Sequence, residues 1–140
     1  MFVSGSYGND IYNVSRASFE NPLGQRNLLA GAANHWTADN PNNEYASPLQ
    51  GGRLPITDRF VENGSYLRCK NITLGYRLPA IKGINSARIY VSTNNLFTIT
   101  KYTGYDPEVN TYAGSNTTIG VDNLVYPSAR SVLGGIQVTF

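Results

Sequence analysis

Three segments in the C-terminal half of the chain alternate apolar and polar residues with a period of two, the pattern of β-strands with one apolar face. They cover residues 66–78, 87–97 and 131–140. In the last of these segments, Leu133 is the one apolar residue on the polar side. Residues 2–7 are expected to be the end of a fourth strand, cut at Met1. The apolar sides consist of Ile72, Leu74, Tyr76 and Leu78, then Ala87, Ile89, Val91 and Thr93, and finally Val132, Gly134, Ile136, Val138 and Phe140.

The connections between these segments differ in length. Residues 79–86 form a short turn, whereas residues 98–130 form a long polar loop rich in Tyr, Asn, Gly and Pro. Strands of about ten residues fit both a tilted bilayer crossing and a soluble sandwich. Short turns on one side and long loops on the other are typical of outer-membrane barrels. The loops therefore favour a membrane barrel where strand length alone leaves both folds open.

The N-terminal half is less regular. Residues 8–65 are predicted to form a second long loop that carries short helices, at 10–20 and within 23–36. The density of Asn, Pro and Gly predicts an irregular segment over 37–59. No linker divides the sequence, so residues 1–140 are treated as one unit.

Composition excludes several classes of protein. Charged residues make up 14% of the chain, against roughly 25% in soluble domains, and the net charge of +2 is scattered, so no nucleic-acid surface is expected. The single cysteine, Cys69, excludes a disulfide framework and a zinc cluster built on cysteines. No apolar run is long enough for a membrane helix, and the N-terminus lacks the features of a signal peptide. Either the protein is cytoplasmic, or Met1 is an internal position and an export signal lies upstream.

The chain ends on an aromatic residue, Phe140, which lies on the apolar side of the last predicted strand. The last strand of a barrel has to pair with the first, because unpaired backbone groups in hydrocarbon cost several kcal/mol each. A soluble protein that ends in a strand is the alternative.

Four motifs in order carry a resemblance to a known family. D-R-F-V-E-N-G-S-Y-L-R-C-K-N-I-T-L-G-Y at 58–76 and A-R-I-Y-V-S-T-N-N-L-F-T at 87–98 are followed by K-Y-T-G-Y-D-P-E-V at 101–109 and Y-P-S-A-R at 126–130. Together they resemble the SusC/RagA-type TonB-linked outer-membrane transporters of Bacteroidetes. Segments 5–13 and 36–41 are similar to the preceding strand and loop of that family, so the resemblance covers essentially the whole chain. Cys69 stands where the family has a bulky apolar residue.

The resemblance implies an all-β fold: about the last four strands of an antiparallel transmembrane barrel, in the outer membrane of a Gram-negative bacterium. The plug domain and most of the barrel are absent from the chain. Implied partners are the TonB complex, a SusD-like surface lipoprotein, the barrel-assembly machinery, membrane lipid and a glycan or oligopeptide substrate. The last strand is implied to be the assembly signal, through Val132, Ile136, Val138 and Phe140.

Counting strands from a periplasmic C-terminus puts residues 79–86 in the periplasm and both long loops outside the cell. Aromatic residues of these loops are candidates for stacking on sugar rings, although a structural role, in packing or in anchoring the loops at the lipid headgroups, is the favoured interpretation. They are Trp36, Tyr45, Tyr102, Tyr105 and Tyr112.

Residues with catalytic or metal-binding potential are few. His35 is the only histidine and has no nucleophile motif beside it. Asp106, Glu108 and Asp122 offer too few oxygens for the six to eight that calcium takes. We therefore expect neither an enzyme nor a cofactor or metal. The alternatives to a transporter are a soluble β-sandwich that binds carbohydrate and a structural surface protein, and the sequence does not name a substrate.

Overall fold

Two sheets contain most of the regular secondary structure in the described residues. The computed structural model describes residues 1–22, 27–41, 44, 45, 47, 56–79, 83–109, 111, 112 and 118–139. The strands are β1 (Phe2–Ser6), β2 (Asp10–Asn13), β3 (Val61–Asn63), β4 (Tyr66–Arg77), β5 (Ser86–Thr100), β6 (Val121–Asp122) and β7 (Ser131–Thr139). The described residues also contain a short helix, α1 (Val14–Phe19), and 3-10 turns at Ala30–Asn34 and Asp58–Phe60.

The main sheet has the order β1-β4-β5-β7, and every pair in it is antiparallel. These are the four strands predicted from the alternation. The sheet is open in this chain, with β1 and β7 as its outer strands. The second sheet, β3-β2-β6, was not predicted: β2 and β3 lie in the segment predicted as the loop 8–65, β6 lies in the predicted loop 98–130, and β2 and β6 run parallel.

The apolar residues of the four strands share one face of the main sheet. Leu67 lies opposite Ile99 and Leu74 opposite Val91, while Ile89 lies between Tyr76 and Ile136. This face is uncovered: 72% of Leu74, 71% of Ile136 and 63% of Ile99 is exposed. A soluble sheet would bury such a face against another layer.

An irregularity in the pairing of β4 with β5 keeps the apolar residues of β4 on one face of the sheet. The pairing of β4 with β5 shifts by one residue between Cys69 and Asn71, and Asn95 on β5 has a φ of 49° beside the shift. Lys70 and Asn71 consequently lie on the same, polar face, since Lys70 reaches Glu108 and Asn71 reaches Asn94. A bulge of this kind moves Leu67 and Cys69 onto the face of Leu74, although their sequence positions are odd and that of Leu74 is even.

The small sheet continues the main one beyond its edge. The ladder between β1 and β4 resumes as β2 with β3, after a kink at Gly8 and Gly64. The backbone N–H of Gly64 donates to the carbonyl of Asn9 at 2.8 Å. A Cβ on Gly64 would come within 2.6 Å of Ile11 Cγ1, so this close approach requires glycine.

Helix α1 begins later than predicted. Asp10–Asn13 pair as β2, and the side chain of Asn13 then caps the helix by accepting from the backbone N–H of Arg16. The second predicted helix appears as the 3-10 turn Ala30–Asn34; residues 23–26 lie outside the described part of the chain. None of the helices in the described residues has the length and apolar character needed to cross a membrane.

The core lies between the loops and the small sheet. Ile11 on β2 packs with Tyr102 and Val109 from the loop after β5, and half-buried Val125 packs against them. Ile11 is only 1% exposed. The two long loops therefore fold against each other through one small apolar cluster.

The two long loops packed against each other are called the loop layer below. We expect Ile11→Ala to destabilise this layer by about 2–5 kcal/mol, because it leaves a cavity that the neighbours cannot fill. Hydrogen exchange of backbone amides in residues 101–109 should become faster, while β5 and β7 keep their protection. Ile56→Ala is the matched control, because Ile56 is 85% exposed and its truncation should change nothing measurable. Equal exchange in both variants would contradict the assigned core.

Candidate functional site

A buried ion cluster joins the loop after β5 to the polar face of the main sheet. Arg68 on β4 donates to Asp106 Oδ1 at 2.5 Å and to Glu108 Oε2 at 2.7 Å. Lys70 binds Glu108 Oε1 at 2.9 Å, and the Tyr66 hydroxyl donates to the same oxygen at 2.7 Å. These sheet side chains point to one side because alternate residues of a strand do so. The loop is thus held against the main sheet at several points.

The cluster is balanced in charge and largely dry. Two cations, Arg68 and Lys70, face two anions, Asp106 and Glu108, and the side chains of Arg68 and Asp106 are 4% and 5% exposed. Burial alone would raise the pKa of Asp106. The hydrogen bonds from Arg68 and from the backbone amides of Ser128 and Glu108 outweigh it and lower that pKa to about 2. Asp106 is therefore ionised at every physiological pH.

A second polar network connects α1, β3 and the same loop. Arg16 donates to Glu20 at 2.7 Å and to Glu62 at 3.2 Å, and Asn13 also donates to Glu62. The backbone N–H and hydroxyl of Thr103 donate to Glu62 as well. Burial raises the pKa of Glu62, but these donors outweigh it, so that the pKa is lowered. Glu62 thereby fixes the start of the loop to β3.

Tyr102 lies in the interior of the loop layer. It is 6% exposed, and its hydroxyl donates to Asp122 Oδ2 at 2.5 Å. Burial and the bond to the Asp122 carboxylate both raise the pKa of Tyr102. Asp122 also accepts from the Ser15 hydroxyl, and Ser15 in turn accepts from the backbone N–H of Leu124. Of the five aromatic candidates for substrate stacking, Tyr102 is thus the one whose ring faces the protein interior.

The other four aromatic candidates are more exposed than Tyr102. Tyr105 is 67% exposed and lines a cavity of about 420 Å³ together with Phe19 and Arg16. Trp36 is 42% exposed, and its backbone N–H donates to the carbonyl of Tyr45, whose ring lies 5.1 Å from the Arg59 guanidinium. Tyr112 is 46% exposed.

The residues expected to form an assembly signal lie on the apolar face of β7. Val132, Ile136 and Val138 are 68%, 71% and 40% exposed, and they alternate along the edge strand. Phe140 lies outside the described residues.

The ion cluster was not predicted from the sequence. Its members come from two of the recognised motifs, Y-L-R-C-K on β4 and Y-D-P-E in the loop. Asp106 and Glu108 were weighed there as weak metal ligands, but their oxygens are taken by Arg68 and Lys70. In the described residues, no group of three or more His, Cys, Asp or Glu side chains is placed to hold a metal ion.

Comparison with known proteins decides the family. No protein-family model matches the chain. TonB-dependent receptor P3 of Formosa agariphila is 36% identical over 148 residues, covering 100% of this chain and 14% of the receptor. TonB-dependent receptor SusC of Bacteroides thetaiotaomicron is 38% identical over 98 residues, covering 66% of this chain and 9% of SusC. The chain belongs to the SusC/RagA family of TonB-dependent receptors.

A solved member of the SusC/RagA family has the same fold over this region. The RagAB peptide importer in its open-open state matches with a TM-score of 0.79 and 33% identity, covering 99% of this chain and 15% of that chain. The closed-closed state gives the same values. The chain therefore spans about 15% or less of the length of these relatives, which bear the names of receptors and importers and not of enzymes.

We predict that Arg68→Gln releases the loop from the sheet. It leaves Asp106 and Glu108 without their shared cation, a change that costs about 3–5 kcal/mol when a buried pair is broken. Hydrogen exchange of amides 102–109 in the full-length receptor should rise sharply. Lys101→Gln removes an exposed cation next to the same loop and should leave exchange unchanged. Unchanged protection in Arg68→Gln would show that the cluster does not hold the loop.

The cluster should also make stability depend on acid. Because the folded pKa of Asp106, about 2, is below its ordinary value of 3.8, its contribution is present above pH 3.8 and is lost as the pH falls towards 2. The contribution is about 2 kcal/mol. Urea unfolding of the receptor at pH 7, 4 and 2 measures it. Asp106→Asn should be less stable at pH 7 and less sensitive between pH 4 and 2, whereas exposed Asp39→Asn should behave like the parent.

Proposed function

We propose that this chain is the C-terminal part of the wall of an outer-membrane β-barrel that imports nutrients with energy from TonB. Its substrates are glycans or oligopeptides, and a SusD-like lipoprotein is its partner at the cell surface. Membership of the family supports the proposal, and so does the likeness to the RagAB peptide importer.

One observation carries the proposal: the main sheet has an uncovered apolar face and a polar face that binds folded loops. Leu74, Ile99 and Ile136 are more than half exposed on the first face. Arg68 and Lys70 hold the loop on the second. In a transmembrane barrel the outward face meets lipid and the inward face is polar. In a soluble sandwich the apolar face would instead be the core.

The dimensions of the apolar face agree with a bilayer. On β5 the apolar side runs from Ala87 to Ile99. At about 3.3 Å per residue this is about 40 Å of strand, or about 30 Å across the membrane at a tilt of about 40°. The apolar band of such barrels is about 25 Å tall. Both ends of the strand therefore reach the lipid headgroups.

In this proposal residues 79–86 lie in the periplasm and the loop layer faces outside. Tyr105, Trp36, Tyr45 and Tyr112 are then the aromatic residues placed to meet a substrate, and Tyr102 shapes the loop from within. The assembly machinery would read β7 through Val132, Ile136, Val138 and Phe140. The TonB complex would act on the remainder of the polypeptide.

An immunoblot tests the proposal most directly. An antibody against residues 98–130 is applied to fractionated membranes of the source organism, boiled and unboiled. We expect a heat-modifiable outer-membrane band several times larger than the 15.3 kDa of this chain. A soluble band at 15.3 kDa would overturn the transporter and favour the soluble sandwich that binds carbohydrate.

A paired substitution tests which face meets lipid. Val91→Arg places a charge near the middle of the apolar face, where it should destabilise the barrel by about 2–4 kcal/mol. Ser92→Arg places the same charge on the polar face one residue away and should be tolerated. The urea midpoint of the full-length receptor in lipid bilayers measures both. Equal effects would contradict the assignment of the two faces.

A further inference from the structure

Two arginines lie directly opposite each other on the polar face, at the end of the sheet far from the loops. Arg77 of β4 pairs with Arg88 of β5, and Arg88 pairs on its other side with the neutral Gln137. Both arginines are exposed. Like charges directly opposite on a sheet destabilise it. Within the described residues, neither arginine has an ion pair or a hydrogen bond to its side chain, so the anion that would offset this repulsion is absent from this part of the protein.

The sheet is shaped to receive one of these side chains. Arg88 lies across Gly75, where an added Cβ would be 2.7 Å from both Nε and Nη2. Gly75 lies inside a strand and its φ is not positive, so the reason for glycine here is space and not backbone conformation. The recognised L-G-Y motif thus makes room for an arginine on the neighbouring strand.

A second glycine does the same for an aromatic ring. Tyr90 lies over Gly135 of β7, where an added Cβ would be 2.5 Å from the ring. The Arg88 guanidinium carbon lies 6.0 Å from the centre of that ring. Both side chains therefore lie along the sheet instead of standing out from it. The polar face is therefore flat and positively charged at this end, and another part of the protein can pack closely against it.

We propose that Arg77 and Arg88 bind one or more Asp or Glu carboxylates of the segment of the same polypeptide that fills the barrel. The inference rests on the proposed function, in which the polar face lines the lumen. Transporter barrels of the largest class have a plugged lumen, and this chain is 15% or less of the length of its relatives, so in the proposed receptor most of the polypeptide lies outside it. Arginine suits the role because its planar fork binds carboxylates with two parallel hydrogen bonds.

Other occupants fit less well. Membrane lipid meets the opposite face of the sheet, where Ile89 and Ile136 lie in the neighbouring rows. The exposed aromatic residues that suit a substrate are in the loops at the far end of the strands. A carboxylate from the segment that fills the barrel neutralises the two positive charges at this flat part of the polar face.

Site-specific photo-crosslinking in the full-length receptor tests the inference. A benzophenone amino acid replaces Tyr90, and mass spectrometry identifies the peptides that it captures in intact outer membranes. We expect an intramolecular cross-link to an acidic stretch N-terminal to this chain. The control carries the same amino acid at Ile136 on the apolar face and should capture lipid. A cross-link from position 90 to a separate polypeptide or to substrate, or none within the receptor, would overturn the proposal.

Charge variants separate binding from simple packing. Arg77→Gln with Arg88→Gln should lower the cross-link yield about tenfold, because charge-assisted hydrogen bonds are lost. Arg88→Lys should keep part of it. If the arginines bind nothing, removing their mutual repulsion should leave the yield unchanged, and that result would refute the proposal. Heat-modifiability is recorded for each variant: a normal barrel without the cross-link refutes this inference alone, whereas the lack of any heat-modifiable barrel in the parent refutes the proposed function.

Discussion

The pairing of β4 with β5 is the constraint on which the rest of the structure depends. Successive residues of a strand point to opposite faces, so a shift of one residue would turn every side chain of β4 to the other side. The bulge between Cys69 and Asn71 introduces one such shift. It brings Leu67 into line with Leu74 on the apolar face and keeps Arg68 on the polar face with Asn71. Without the bulge, Arg68 would lie on the same face of the sheet as Leu74.

From that register follows the attachment of the loop. Arg68 is buried, and a buried charge is tolerated only when it is paired and hydrogen-bonded. Asp106 and Glu108 supply the pairing, and they belong to the loop after β5. The same arginine therefore joins the sheet to the loop. The Y-L-R and Y-D-P-E motifs meet in this one ion cluster.

The two ends of the polar face differ in how their charges are compensated. At the loop end, Arg68 and Lys70 meet carboxylates of this chain. At the other end, Arg77 and Arg88 lie opposite each other and have no ion pair among the described residues. The sheet thus compensates its own charges where it carries the loops. At the opposite end it leaves the contact that we propose above to another part of the polypeptide.

The sequence by itself determined the four strands, their apolar faces and the family, because alternation with a period of two is a local property and the motifs are continuous. It did not reveal the bulge at Cys69 or the cluster around Arg68, because both depend on residues far apart in the chain. Tyr102 illustrates the limit: sequence reasoning set it beside Tyr105 as a loop aromatic, and only the packing of Ile11 and Asp122 around it makes it an interior residue. Tertiary structure decided which charges are paired, because the two members of an ion pair are close in space but far apart in the sequence.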